Sequence, residues 1–170
     1  MKLLKVVVVA LLLSSCAGVP EGVVPVSGFE LDRYLGKWHE IARLDHRYER
    51  GLEQVTATYS MADNGSVVAL NRGFSTKKKE WKEAKGKAVF SATSDIGDFN
   101  VSFFGPFYGS YVIFELDKEN YQYAFVTGNK HTLWLLSRTP YVSEEIKERF
   151  LQQVEALGYN TEKLIFTTQK

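Results

Sequence analysis

Cysteine is almost absent from this chain of 170 residues, which contains a single one, Cys16. One cysteine cannot form a disulfide within the chain, so a fold built on internal disulfides is excluded and the thiol needs another role. The length is sufficient for one globular domain with a sizeable core.

An excess of one charge sign is also missing. The chain has 21 Lys and Arg against 20 Asp and Glu, and its net charge is +1. Without a basic stripe, nucleic acid is not expected as a partner. The one local cluster, Lys77, Lys78 and Lys79 with Lys82 and Lys85, is interpreted as a solvated loop and strand edge. A role facing an anion or a membrane is the alternative.

The apolar segment near the N-terminus is too short to span a bilayer. It covers residues 6–13 and follows Lys2 and Lys5. This pattern is typical of a signal peptide, predicted here over residues 1–15. A plain secretory peptide that is cut nearby is one interpretation of its end.

The other interpretation comes from Leu13-Ser14-Ser15-Cys16, which resembles the lipobox of bacterial lipoproteins. The resemblance implies cleavage before Cys16 and acylation of its thiol and new amino terminus, which gives stable membrane anchoring. Ala17 in the next position implies the outer membrane. Residues 16–27, which contain two prolines and no periodicity, are predicted to be a tether for a domain over residues 28–170.

Groupings of side chains that would support catalysis or metal binding are not evident. His39, His46 and His131 lack carboxylates at a spacing that suggests a metal site. Acylation of Cys16 would also remove the only thiol nucleophile. We therefore expect no enzymatic activity, no metal and no cofactor.

Short alternating segments separated by turn signals follow Gly36, which is predicted to adopt a positive φ or to allow a close approach at the start of the first strand. Eight strands are predicted in all. The first contains Trp38, and the other seven lie at residues 54–59, 66–74, 81–92, 99–104, 111–116, 121–127 and 132–137. Such a meander favours an all-β, up-and-down antiparallel barrel, because closure removes exposed edges.

One helix is predicted after the eighth strand. Ser143 is a suitable N-cap and Gly158 a suitable C-cap, and apolar residues recur at helical spacing between them. We expect this amphipathic helix to pack on the barrel wall above Tyr123 and Phe125. A short final strand is predicted at residues 163–168.

Three motifs in this order resemble those of the lipocalin family, and more narrowly its bacterial outer-membrane members. They are Gly36-Lys37-Trp38, the stretch Asn120-Tyr121-Gln122-Tyr123-Ala124, and Leu135-Leu136-Ser137-Arg138-Thr139-Pro140. The second motif departs from the family pattern at Asn120, where aspartate is usual. The resemblance covers residues 28–170 and implies that Arg138 lies across Trp38 to close one end of the barrel.

Alternation of side chains along each strand then predicts which residues face the lumen. Trp134 and Leu136 follow from Arg138, and Ala42 and Leu44 follow from Trp38. The remaining positions are assigned by resemblance to lipocalin pockets: Ala57, Tyr59, Ala88, Phe90, Val101, Phe103, Tyr111, Ile113, Ala124 and Val126. The inward direction of the third strand stays open. Glu40 is expected to point inward near the floor, either paired with Arg138 or a lysine, or solvated.

This apolar and aromatic lumen suits an acyl chain. The resemblance implies a carrier of fatty acids or lysophospholipids, anchored in the outer membrane and facing the periplasm. The alternative is an interaction or maintenance module of the cell envelope with a vestigial lumen. Whether the chain forms a homodimer is left open.

Overall fold

The computed structural model describes residues 20–169 of the chain. The predicted signal peptide, Cys16 and the first part of the predicted tether lie outside these residues. Within them, the helices are α1 (Leu31–Tyr34) and α2 (Glu144–Ala156), with a 3-10 turn at Thr161–Lys163. The strands are β1 (Gly36–Leu44), β2 (Leu52–Met61), β3 (Val67–Ser75), β4 (Glu80–Phe90), β5 (Asp98–Phe104), β6 (Phe107–Leu116), β7 (Tyr123–Asn129), β8 (Thr132–Ser137) and β9 (Leu164–Phe166).

The first eight strands form a closed antiparallel barrel. Each strand pairs with the next, and β1 pairs with both β2 and β8, which closes the sheet. The predicted eight-stranded, up-and-down, all-β barrel is therefore confirmed. β6 begins four residues earlier than predicted and β7 two residues later. The final strand, β9, pairs with β1 outside the closed ring.

The connections of the barrel define two ends. Loops 45–51, 76–79, 105–106 and 130–131 lie at one end, which we call the open end. Loops 62–66, 91–97 and 117–122 lie at the other, the closed end, together with α1. β1 runs from the closed end, where Trp38 lies, to the open end.

Helix α2 packs on the outer wall as predicted. The Ser143 side chain accepts a hydrogen bond from the Ile146 N–H at 3.3 Å, and Gly158 ends the helix with a φ of +82°. Phe150 packs edge-on against Phe125 of β7, with ring centroids 5.0 Å apart. The apolar face of α2 and the outward side chains of β1, β7 and β8 thus form an outer core, separate from the barrel interior. Among the described residues, neither helix combines the length and apolar character needed to cross a membrane.

The described part of the predicted tether, residues 20–27, lies against the barrel. We call it the N-terminal strap. Val23 is buried, and the Val26 N–H donates to the Ile113 carbonyl at 2.9 Å. Ser27 forms a β-bridge with Ile96. These contacts are the physical reason that the strap does not extend away from the domain, and they were not visible in a segment with two prolines and no periodicity.

Candidate functional site

The closed end is sealed by Trp38 and Arg138. The guanidinium carbon of Arg138 lies 3.9 Å above the Trp38 ring, which is the contact that the resemblance implied. All three guanidinium nitrogens donate to carbonyls, those of Arg33, Lys37 and Tyr121, at 2.7–3.2 Å. Gly36 adopts a φ of +94°, and a Cβ there would lie 3.4 Å from Arg138 Nη1. Of the two roles that the sequence suggested, the positive φ is the one that requires glycine, because a Cβ 3.4 Å from Arg138 would make an ordinary van der Waals contact.

Above this floor, the barrel interior contains a cavity of about 80 Å³. Seven of the residues predicted to face the lumen line it: Ala57, Tyr59, Val101, Phe103, Tyr111, Trp134 and Leu136. Five others, Ala88, Phe90, Ile113, Ala124 and Val126, belong to the interior cluster but lie away from the cavity. The lining is completed by Glu40, Glu49, Val55, Ala69 and Asn71.

Two predicted lumen residues, Ala42 and Leu44, are instead in the outer core beneath α2, so this part of the prediction is wrong. The cause is an irregularity in β1. Glu40 pairs with Leu136 but Ala42 pairs with Leu135, so one extra residue, Ile41, is inserted as a β-bulge. Beyond the bulge the alternation is reversed, because an inserted residue moves every following side chain to the opposite face.

The reversal places Arg43 on the inner side, where a buried polar cluster forms. Arg43 Nη1 lies 2.5 Å from the Glu40 carboxylate, and Nη2 donates to the carbonyls of Glu49 and Leu52 at 3.0 and 3.1 Å. Arg43 Nε has no hydrogen-bond partner within the described residues. Glu40 points inward as expected, but its partner is Arg43, and not Arg138 or a lysine.

Loop 45–51 contributes the rest of the polar cluster. Its Glu49 carboxylate reaches into the lumen, where Oε2 accepts from Trp134 Nε1 at 3.1 Å and lies 2.8 Å from His46 Nε2. Arg43 of β1 also holds this loop to the barrel wall, because its Nη2 donates to the Glu49 carbonyl. Glu40, Arg43, His46, Glu49 and Trp134 form a connected group, which we call the lumen polar cluster.

The two carboxyl groups of this cluster differ in acidity. Burial raises the pKa of Glu40, and the nearby Glu49 carboxylate raises it further, against the opposing effect of Arg43. Burial would raise the pKa of Glu49 as well, but the contacts with His46 and Trp134 hold that pKa below its ordinary value. As pH falls, Glu40 therefore takes up a proton before Glu49 does.

Three tyrosines, the buried Tyr34 and Tyr59 and the half-buried Tyr111, add a second polar group. The Tyr59 hydroxyl donates to the Tyr111 hydroxyl at 2.8 Å, and Tyr111 is bonded to Tyr34 at the same distance. Burial raises the pKa of all three, so the hydroxyls are neutral donors. Two bonds join three hydroxyls, so one O–H remains that is not used within the trio.

Some of the cavity-lining residues that were not predicted could have been found from the alternation of side chains along a strand. Val55 lies two residues before Ala57 and follows the same alternation. Ala69 and Asn71 face inward because they pair with Tyr59 and Ala57, but that register is not readable from the sequence. Glu49 reaches the lumen through the conformation of a loop, which has no periodicity.

The arrangement is suited to enclosing a small molecule that enters at the open end. The described residues contain no group of three or more His, Cys, Asp or Glu side chains placed to hold a metal ion. Cys16, the predicted lipidation site, lies outside the described residues. Its acylation stays a prediction.

Comparison with known proteins places this geometry in a family. Residues 29–169 match the family described as a lipocalin-like domain. The chain is 54% identical to the outer membrane lipoprotein Blc of Vibrio cholerae over 171 residues, which cover the whole of both proteins. It is 46% identical to Blc of Escherichia coli K12, over 88% of this chain and 85% of that protein.

A solved structure shows the same fold. Insecticyanin from the tobacco hornworm Manduca sexta superimposes with a TM-score of 0.71 at 21% identity, over 90% of this chain and 87% of insecticyanin. The match to the lipocalin-like domain, over residues 29–169, includes the barrel, α2 and β9. The chain belongs to the lipocalin family, whose members bind and transport small hydrophobic molecules.

Proposed function

We propose that this lipocalin binds single-chain lipids, either fatty acids or lysophospholipids, while it is anchored in the bacterial outer membrane and faces the periplasm. The observation that supports this most directly is the lumen, which is apolar and aromatic over most of its lining and is sealed at the Trp38 end. The two Blc relatives are named as outer membrane lipoproteins. By analogy, residues 13–16 hold the lipid anchor.

The polar cluster indicates how a lipid would be oriented. Glu49 is ionised and lines the cavity from a loop of the open end, so an anionic head group inside the cavity would meet a like charge. The alkyl tail therefore enters first, and the head group remains at the open end. Each buried methylene contributes about 0.8 kcal/mol, so ten contribute about 8 kcal/mol before ordering costs. Since about 8 kcal/mol corresponds to a Kd of about 1 μM, ten buried methylenes alone set the low-micromolar range as the upper limit of affinity.

The cavity volume favours a second candidate function. About 80 Å³ is well below the roughly 300–1,000 Å³ typical of small-molecule pockets. A long acyl chain would therefore need movement of loop 45–51 or of cavity-lining side chains such as Phe103. If they do not move, the lumen is vestigial and the protein is an interaction or maintenance module of the cell envelope.

Lipid titration separates the two candidates. Protein that starts after Cys16 is titrated with palmitate and with lysophosphatidylcholine, by calorimetry and by tryptophan emission, which Trp134 makes sensitive to the lumen. Ala57→Trp fills the lumen and should abolish binding, whereas Ser60→Trp, which adds the same side chain outside the barrel, should not. Unfolding curves show whether each variant is folded, and Ala57→Leu is the smaller replacement if the larger one unfolds the domain.

Each result has one interpretation. Saturable binding that Ala57→Trp removes supports the lumen as the lipid site. Equal binding by the wild type and the filled variant would exclude the lumen, and no binding by the wild type would favour the interaction module.

The anchor has its own test. Cys16→Ser should leave an unprocessed precursor or release the protein from lipid, because no other residue of the chain can form the thioether. Membrane fractionation after labelling with a radioactive fatty acid measures this directly. A variant that still fractionates with the outer membrane and carries labelled acyl chains would show that the lipobox interpretation is wrong.

A further inference from the structure

Four exposed aromatic side chains lie together at the open end. Phe104 and Phe107 pair across the β5–β6 turn and are 65% and 79% exposed. Tyr108 follows in β6, and Tyr48 of loop 45–51 stacks on Phe104 with ring centroids 6.1 Å apart. We call these four residues the aromatic rim. Large aromatic groups clustered in contact with water are typical of a surface that another partner covers.

The charge of the loops around the rim is not evenly distributed. The open-end loops carry six basic residues, which are Arg47, Arg50, Lys77, Lys78, Lys79 and Lys130. Against them stand Asp45 and Glu49, of which Glu49 is buried. The closed-end loops have the opposite balance: Asp63, Asp95, Asp117 and Glu119 against Lys118. The barrel thus presents a basic, aromatic end and an acidic end.

The strap limits how far the barrel can move from a membrane anchor. Val23 and Val26 fix the strap to the wall, and the described chain begins at Pro20. Cys16 is four residues earlier, and four extended residues span at most about 14 Å. If Cys16 is acylated, the barrel must lie close to the bilayer, and one of its surfaces must face the lipid head groups.

We propose that the aromatic rim and the surrounding lysines and arginines dock on an anionic phospholipid bilayer, so that the open end of the barrel faces the membrane. Tyrosine and phenylalanine partition into the region between head groups and acyl chains, and basic residues are attracted to anionic head groups. The proposal rests on the lipid anchor in the proposed function, but not on lipid binding in the lumen. It also changes the interpretation of Lys77, Lys78 and Lys79 from a solvated loop to a membrane-facing one.

A probe at each end of the barrel tests this orientation. The full lipidated chain is isolated from bacterial membranes and reconstituted into vesicles of phosphatidylcholine and phosphatidylglycerol. Phe107→Cys places a thiol at the rim, and Tyr141→Cys places a matched thiol at a site beyond the closed end, where Tyr141 is 74% exposed. Each is labelled with an environment-sensitive fluorophore. The unsubstituted chain should take up no label, and labelling at Cys16 would contradict the anchor and not the docking surface.

The expected result is a blue-shifted emission at position 107 that brominated lipids quench, with aqueous emission at position 141. Replacement of Lys77, Lys78 and Lys79 by Gln should reduce the shift at low salt. The effect of the replacement should become smaller at high salt, because salt screens the attraction that the lysines supply. The matched triple replacement of Lys85, Lys87 and Lys118 by Gln should leave the shift unchanged. Aqueous emission at position 107, or equal quenching at both positions, would overturn the proposal. Shielding of position 107 in detergent alone that rises with protein concentration would also overturn it, since a second copy would then be the occupant.

Discussion

Two arginines of the barrel, the half-buried Arg138 and the buried Arg43, are held in opposite ways. At the closed end, Arg138 covers Trp38 and donates from every guanidinium nitrogen to a carbonyl. Toward the open end, Arg43 lies with Glu40 near a second carboxyl, with one nitrogen unpartnered among the described residues. The charge of Arg138 is stabilised by carbonyl dipoles, which are neutral. The charge of Arg43 is balanced by carboxyl groups, whose ionisation depends on pH. The contribution of the closed end to the free energy of unfolding should therefore be large and independent of pH. The contribution of the lumen polar cluster should be smaller and should change with pH.

Trp38→Ala is the change that should break the closed end most severely. It removes a fully buried aromatic side chain and the surface on which Arg138 lies. A loss of about 3–5 kcal/mol in the free energy of unfolding is expected, measured by urea denaturation. Trp81→Ala is the matched control, because Trp81 is partly exposed; its loss should be about 1 kcal/mol or less. Equal losses would contradict the structural role of Trp38.

Arg43→Met tests the opposite end of the comparison. It leaves two buried carboxyl groups without their cation and releases loop 45–51, so a loss of about 3 kcal/mol is expected. Combining it with Glu40→Leu should restore part of the loss, because the uncompensated buried charge is then removed. If the double variant is less stable than Arg43→Met, packing and not charge accounts for the loss.

Arg138→Met should cost about 1–3 kcal/mol, since it removes hydrogen bonds and the contact with Trp38 but leaves no buried charge. A double-mutant cycle with Trp38→Ala isolates the contact between the two side chains. Losses that add would mean that the two residues do not interact energetically, despite their 3.9 Å separation.

The smallest expected effect is on the pH dependence of the free energy of unfolding. The folded state raises the pKa of Glu40, so the folded protein holds this proton more tightly than the unfolded chain does. The contribution of Glu40 to stability therefore falls as pH rises from 4.5, its ordinary value, toward the folded value. Glu49 has a lowered pKa, and its contribution is lost only as pH falls below 4.5.

Two variants separate these contributions. Glu40→Gln should flatten the dependence of stability on pH above 4.5, and Glu49→Gln should flatten it below. Urea denaturation across pH measures both. Identical pH profiles for the two variants would show that the carboxyl groups do not differ in acidity as the structure indicates.

Much of the barrel was predictable because its signals are local. Alternation from Arg138 placed Trp134 and Leu136 inside, and resemblance to lipocalin pockets placed Tyr59 and Val101 there. Ser143 and Gly158 bounded α2. Ala42 and Leu44 were misplaced because a bulge in β1 depends on the register of its partner strand, which no single segment contains. The contact between Glu49 and Trp134 joins a loop to a strand 85 residues away, and such contacts are invisible to periodicity.

The seal at Trp38 and Arg138 also has a kinetic consequence. With one end closed, a molecule that occupies the lumen leaves by the route through which it arrived. Loosening loop 45–51, for instance by removing Arg43, would lower one barrier that both directions share. Association and dissociation would then accelerate by a common factor, and a change seen only in residence time would have to arise from contacts deeper in the lumen.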